Sequence, residues 1–212
     1  MSGKLLTTCG IPLTLSSSKG ERNAFLNEWL GLAILLALLA GVRASPAADS
    51  AAEPVSVDRL DWREFQSAAG GFRVLLPGIP AERSSAHTTI IGRIGSTAYV
   101  SKPPGWEFRV EHHAIPWIAR SVVSPAGLVE RAANDFLRDF GGRVLSTSDE
   151  PWRGYAARRL TYAVDTPASA RGAALFVFAD TRLYILDVTR LASELPAEVV
   201  THFFDSFELI DG

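Results

Sequence analysis

The sequence predicts an α+β fold in which a largely antiparallel sheet is covered on both faces. Three observations predict it. Short stretches of alternating apolar and polar residues follow one another with glycine- and proline-rich turns between them, the pattern of an antiparallel meander. One segment, Pro125–Phe140, changes to a repeat of about four residues, with Leu128, Ala132 and Phe136 in step, as an amphipathic helix requires. The stretch AALFVFA, residues 173–179, is apolar at odd and even positions alike, so a strand there needs a covering layer on each side.

The elements follow in order. WREFQS (Trp62–Ser67) alternates, Gly70-Gly71 supplies a turn, and FRVLLP (Phe72–Pro77) closes at Pro-Gly-Ile-Pro, so the opening reads as a hairpin. HTTII (87–91), STAYVS (96–101) and WEFRVEHHAI (106–115) read as three strands, with residues 92–95 as the first intervening turn. In the last of these, Phe108, Val110, His112 and Ala114 share one face and Glu107, Arg109, Glu111 and His113 the other. His112 is expected inward and His113 outward. Ser124 then caps the helix, with Pro125 at its first position and Gly141-Gly142 ending it. Strands RVLSTSDE (143–150), YAARRLTYAV (155–164), GAALFVFA (172–179) and RLYILDV (182–188) come next. A second helical stretch at 195–204, with Val199, Val200 and Phe203 at helical spacing, supplies the other layer before a final short strand, FELI.

This domain is expected to occupy residues 60–212. Before it, WLGLAILLALLAGV at 29–42 is uncharged and apolar, with the length of the central region of a signal peptide and short of the roughly 20 residues a spanning helix needs. Residues 1–44 therefore read as a signal peptide or as an uncleaved N-terminal anchor. Cleavage before Ser45 or before Asp49 fits the small residues nearby, and the Ala/Ser/Pro-rich stretch 45–59 reads as a disordered linker.

Composition excludes several chemistries. A formal net charge of −2 offers no basic footprint for nucleic acid. The single cysteine, Cys9, precedes the export segment, so the exported domain has no thiol for a disulfide, a nucleophile or metal ligation. No P-loop, dinucleotide fingerprint, HExxH, calcium loop or nucleophile elbow occurs. The histidines and carboxylate to weigh as ligands or catalysts are Glu111, His112 and His113 with His87 and His202. Neighbouring strand residues point apart, so His112 and His113 do not serve one ion, and Glu111 with His113 lacks a nucleophile. No metal or other cofactor is expected. Trp106, Trp117 and Trp152 sit at strand or turn edges, where aromatic residues are enriched in interfaces, and are the candidate binding surface.

GGFRVLLPGIP, preceded by Trp62 and Phe65, together with DTRLYILDV and FFDSFEL, resembles the PsbP-like family across about residues 62–210. The resemblance implies an α/β/α sandwich with helices on both faces of a largely antiparallel sheet. Known members are mostly non-catalytic binding or assembly factors, among them a photosystem II extrinsic subunit and bacterial envelope proteins. None of their functional residues is recognised here. The expectation is a non-catalytic periplasmic or secreted protein with a protein partner and no nucleic acid, meeting a membrane only through an uncleaved residue 29–42 segment. A carrier of a small apolar ligand and a hydrolase using separated His and carboxylate residues are the alternatives.

Overall fold

The computed structural model describes residues 57–89, 92–165 and 169–210; the apolar run at 29–42, both cleavage sites and the linker through Ser56 lie outside them. After a short 3-10 turn at Val57–Arg59 come β1 (Trp62–Ser67), β2 (Phe72–Pro77), β3 (Ala81–Thr89), β4 (Gly92–Ser101) and β5 (Trp106–Ala114). Two helices follow, α1 (Trp117–Val122) and α2 (Pro125–Phe140). The chain continues through β6 (Arg143–Ser148), β7 (Ala156–Val164), β8 (Ala170–Ala179), β9 (Arg182–Leu191), α3 (Ala197–Asp205) and β10 (Glu208–Leu209).

Seven strands form one sheet in the order β3-β4-β5-β9-β8-β7-β6, and all its neighbours are antiparallel. Two meanders, β3 to β5 and β6 to β9, therefore meet along the β5/β9 pair. The opening hairpin is not part of this sheet. It joins β10 in a separate three-stranded sheet, β1-β2-β10, where Glu208 and Leu209 pair with Arg73 and Phe72.

The large sheet is covered on both faces. On one, Phe72, Val74 and Leu76 of β2 and Val199, Phe203 and Phe204 of α3 pack with Phe108, Val110, Leu175, Val177, Leu186 and Val188. On the other, Leu128, Val129, Ala132, Ala133 and Phe136 of α2 cover Leu160, Ala174, Phe176, Phe178 and Ile185. Strand β8 lies between the layers, with Leu175 and Val177 at 2% and 0% exposure toward one and Phe176 and Phe178 at 0% and 8% toward the other. The α+β sandwich expected from that strand is thus present, and one of its layers combines a helix with a small sheet.

Helix α2 begins where the Ser124 hydroxyl accepts the Gly127 N–H at 3.1 Å, and ends at Gly141 with φ 64°, a backbone shape that costs glycine little. Residues 92–95 are strand rather than turn: the β3/β4 ladder runs unbroken from Ala86↔Gly95 to Thr89↔Gly92. Ladder pairing here outweighs the turn preference of the two glycines. The six residues of helix α1 carry too little periodicity to signal a helix in the sequence.

Candidate functional site

Strand β5 sorts its side chains by parity. Trp106, Phe108 and Val110 enter the core beneath β2 and α3, while Glu107, Arg109, Glu111 and His113 line the face on which α2 lies. These four form a charged stripe that is largely covered. Arg109 donates from its guanidinium to Glu111 Oε2, and His113 Nε2 lies 3.1 Å from Glu111 Oε1 without hydrogen-bond geometry. Their side chains are 16%, 5% and 13% exposed. The expected solvent position of His113 is therefore corrected: it does point away from His112, but its ring lies beside a buried carboxylate along the sheet.

The stripe continues onto β9. Arg109 is the cross-strand partner of Asp187, which is fully buried, accepts from the Tyr162 hydroxyl at 2.7 Å and has Thr189 Oγ1 at 3.5 Å. Tyr162 comes from β7 and reaches β9 by crossing β8 at Gly172, its register partner and that of Thr189. A Cβ at Gly172 would stand 2.2 Å from Tyr162 Cζ, so only glycine leaves room for the ring. Tyr162 and Thr189 hydroxyls are 2.8 Å apart.

Burial dominates the electrostatics. It pushes the Asp187 carboxyl up to about 7, with Glu107 adding to the rise and the Tyr162 hydroxyl, Arg109 and Thr189 opposing it. The Tyr162 phenol is raised well above its ordinary value, first by burial and then by Asp187. Glu107 is raised by burial against the pull of Lys102 and Arg109. On the opposite face, His112 is held below its usual range by burial and then by Arg182, with its ring 6.1 Å from Phe72 and 6.3 Å from Tyr99.

His202, the other histidine whose side chain is described, does not complete a site. His202 lies on α3 with its ring 4.8 Å from Trp62, and the side chain of His87 is outside the described residues. Among the described residues, no three of His, Cys, Asp and Glu gather with metal-binding geometry. Ser96 is the cross-strand partner of His113, but its hydroxyl is bonded to Ser85 at 2.8 Å.

The three tryptophans occupy three environments. Trp106 is 5% exposed, stacked on Phe108 at 5.6 Å under the Arg190 guanidinium, so it is a core ring and not a surface anchor; its place at the start of an interior strand buries it. Trp152 is half-buried against Phe207 at 5.2 Å and faces Arg153 at 4.8 Å. Trp117 alone stands in solvent, at 69% exposure, with Ile118 at 39% and Val122 at 66% on the same helix α1. Ile118 and Val122, four residues apart, share a side of that helix, a relation that becomes legible only once α1 is known to be helical.

Fold and site together define an α+β sandwich with a largely covered charged stripe along its sheet and a helix at the end of β5 that exposes apolar side chains. No family model matches the chain, and no curated protein matches it. Solved structures are similar in fold: cyanobacterial PsbP (CyanoP) from Synechocystis sp. PCC 6803, at 10% identity and a TM-score of 0.48, over 78% of this chain and 99% of that one. The Ran-binding protein Mog1p of Saccharomyces cerevisiae is similar at 10% identity and a TM-score of 0.46, over 72% of this chain and 97% of its own. No helix among the described residues is long and apolar enough to cross a membrane.

Proposed function

We propose that the protein is a non-catalytic binding module of the cell envelope, exported by its N-terminal segment, which takes a protein partner on the apolar side of α1. One observation carries this reading: Trp117, Ile118 and Val122 are exposed together on a six-residue helix. Exposed Trp with aliphatic neighbours is the composition of interface anchors. The groups best suited to chemistry are engaged with one another instead, since Glu111 is held by Arg109 and Asp187 by Tyr162.

The convergence of Glu111 and His113 favours hydrolysis as a second reading. It needs a nucleophile in reach of His113, and Ser96, its cross-strand neighbour, is the residue to test.

The binding reading is tested with a photo-crosslinking residue at Ser121 in the full chain, expressed in its native cell. A discrete adduct is expected in the envelope fraction, lost in a Trp117→Ala, Val122→Ala double variant that keeps the wild-type circular dichroism. Adducts identical in both proteins would refute it. Labelling of Ser96 by a fluorophosphonate, abolished by His113→Ala, would establish the hydrolase instead.

A further inference from the structure

We infer that Arg171 and Arg190, side by side on β8 and β9, form a binding site for a phosphate group, carried as free phosphate or as a small phosphomonoester. The two are register partners in the antiparallel β8/β9 ladder. Directly opposite residues of such a pair point to the same face with Cβ atoms about 5 Å apart. That face is the one packed by β2 and α3, since Ala173 and Leu175 continue it along β8 and Val188 and Leu186 along β9. Like charges set opposite each other repel, so the pair calls for a shared counter-ion.

Among the described residues, neither guanidinium is paired with a carboxylate. Arg190 lies over the Trp106 ring at 4.9 Å and donates from Nη1 to the Glu194 backbone carbonyl at 2.8 Å, so Glu194 meets it with its main chain and not its carboxylate. Arg171 Nη1 is shut from solvent without a hydrogen-bond partner. The residue as a whole is partly exposed, and a turn about its terminal side-chain torsions carries that nitrogen to an acceptor on the open side. Across β7 its register partner is Ala163, whose methyl group offers nothing polar. Beyond Ala163 comes Arg143 at the sheet edge, 3.9 Å from Asp165, with the two side chains 62% and 64% exposed. Water screens that ion pair, so it does not serve the inner two arginines.

The chemistry of the pair selects the ligand. A guanidinium presents its N–H donors as a planar fork that matches the oxygens of phosphate, and two forks carry the two charges of a phosphate dianion. A single carboxylate would leave one of them uncompensated. Ile115 and Ala119, at and within α1, pack on the opposite face of the sheet, so this site stands apart from the surface proposed above to bind a partner and does not rest on it.

The test follows the Cζ signals of isotope-labelled arginine by NMR in the full chain in detergent at pH 8, titrated with inorganic phosphate and separately with methyl phosphate, chloride holding the ionic strength constant. The Arg171 and Arg190 signals should move saturably with a Kd of about 1 mM or below. Those of Arg63 and Arg138, already paired with Asp61 and Asp135, should stay in place. Saturation by inorganic phosphate alone would assign the site to the free ion, and saturation by methyl phosphate, alone or as well, to a phosphomonoester. Arg171→Gln, with its fold checked by circular dichroism, should bind about tenfold more weakly, as expected for the loss of a charged hydrogen bond. No saturation by either ligand in the wild type, or equal shifts at Arg63 and Arg138, would overturn the site whether or not the variant folds. Undiminished affinity in a folded Arg171→Gln would overturn it as well.

Discussion

Replacing Asp187 with Asn should remove most of a pH dependence that lowers stability on the alkaline side. The native carboxyl is fully buried and titrates at about 7, against 3.8 for an ordinary one. Between those values the folded state holds a proton that the unfolded chain has released, so stability falls as pH rises. The contribution is fully present below about pH 4 and is lost as pH passes through about 7, beyond which both states are ionised. A separation of about 3 pH units, at about 1.4 kcal/mol each, amounts to about 4 kcal/mol, of which about 3 kcal/mol is lost between pH 5 and pH 8. An Asn amide oxygen can still accept from Tyr162 and carries no charge. Denaturant unfolding of the full chain at several pH values, wild type against variant, is the assay. Glu107, raised in the same sense as Asp187, and His112, lowered and therefore sloping the other way, are present in both proteins, so the difference between the curves reports Asp187. The stability of the variant relative to the wild type should be about 3 kcal/mol greater at pH 8 than at pH 5. Parallel curves would refute the buried, proton-holding carboxyl.

Gly172→Ala should cost about 3 kcal/mol by calorimetry or denaturant, because the new methyl group would overlap the Tyr162 ring; a loss below about 1 kcal/mol would mean the ring does not cross there. Phe176→Ala empties a fully buried site against Phe136 and should cost about 3–5 kcal/mol, measured the same way. Trp117→Ala should change unfolding by no more than about 0.5 kcal/mol, since the ring is mostly in water, and a larger loss would place it in the core. N-terminal sequencing of protein from the native cell should begin at Ser45 or Asp49, and Met1 on membrane-fraction protein would establish the anchor.

Local patterns in the sequence carried much of this fold, and the misses share one cause. Ser124, Pro125 and Gly141 mark the ends of α2 because caps are chemical events confined to a few residues. The double-sided burial of β8 was legible because AALFVFA leaves no face for solvent. Partners distant in the chain were not. The hairpin β1–β2 has the alternation of any half-buried strand pair, and nothing in it says that β10 will complete a separate sheet. Trp106 and Trp117 look alike in sequence, each beside a turn residue, yet one enters an interior strand beneath α3 and the other a helix that buries only Ala119 and turns Trp117 outward.

The charged stripe divides along the same line. Arg109, Glu111 and His113 could be placed together from the two-residue period of one strand, whereas Asp187, Tyr162 and Gly172 join them only through the order β5-β9-β8-β7, which no pairwise turn signal reveals. Once formed, the stripe constrains that order. A slip of β9 by one residue against β5 would carry Asp187 to the face that packs under Phe203 and Phe204 and set Val188 or Leu186 against the charge of Arg109. It would also take Asp187 and Thr189 away from the Tyr162 hydroxyl, leaving a buried phenol without its partners, at a cost of about 1–3 kcal/mol for the lost hydrogen bonding alone. The polar groups that add least to net stability thus select one register among those that the Val-, Ile- and Leu-rich strands would otherwise accept.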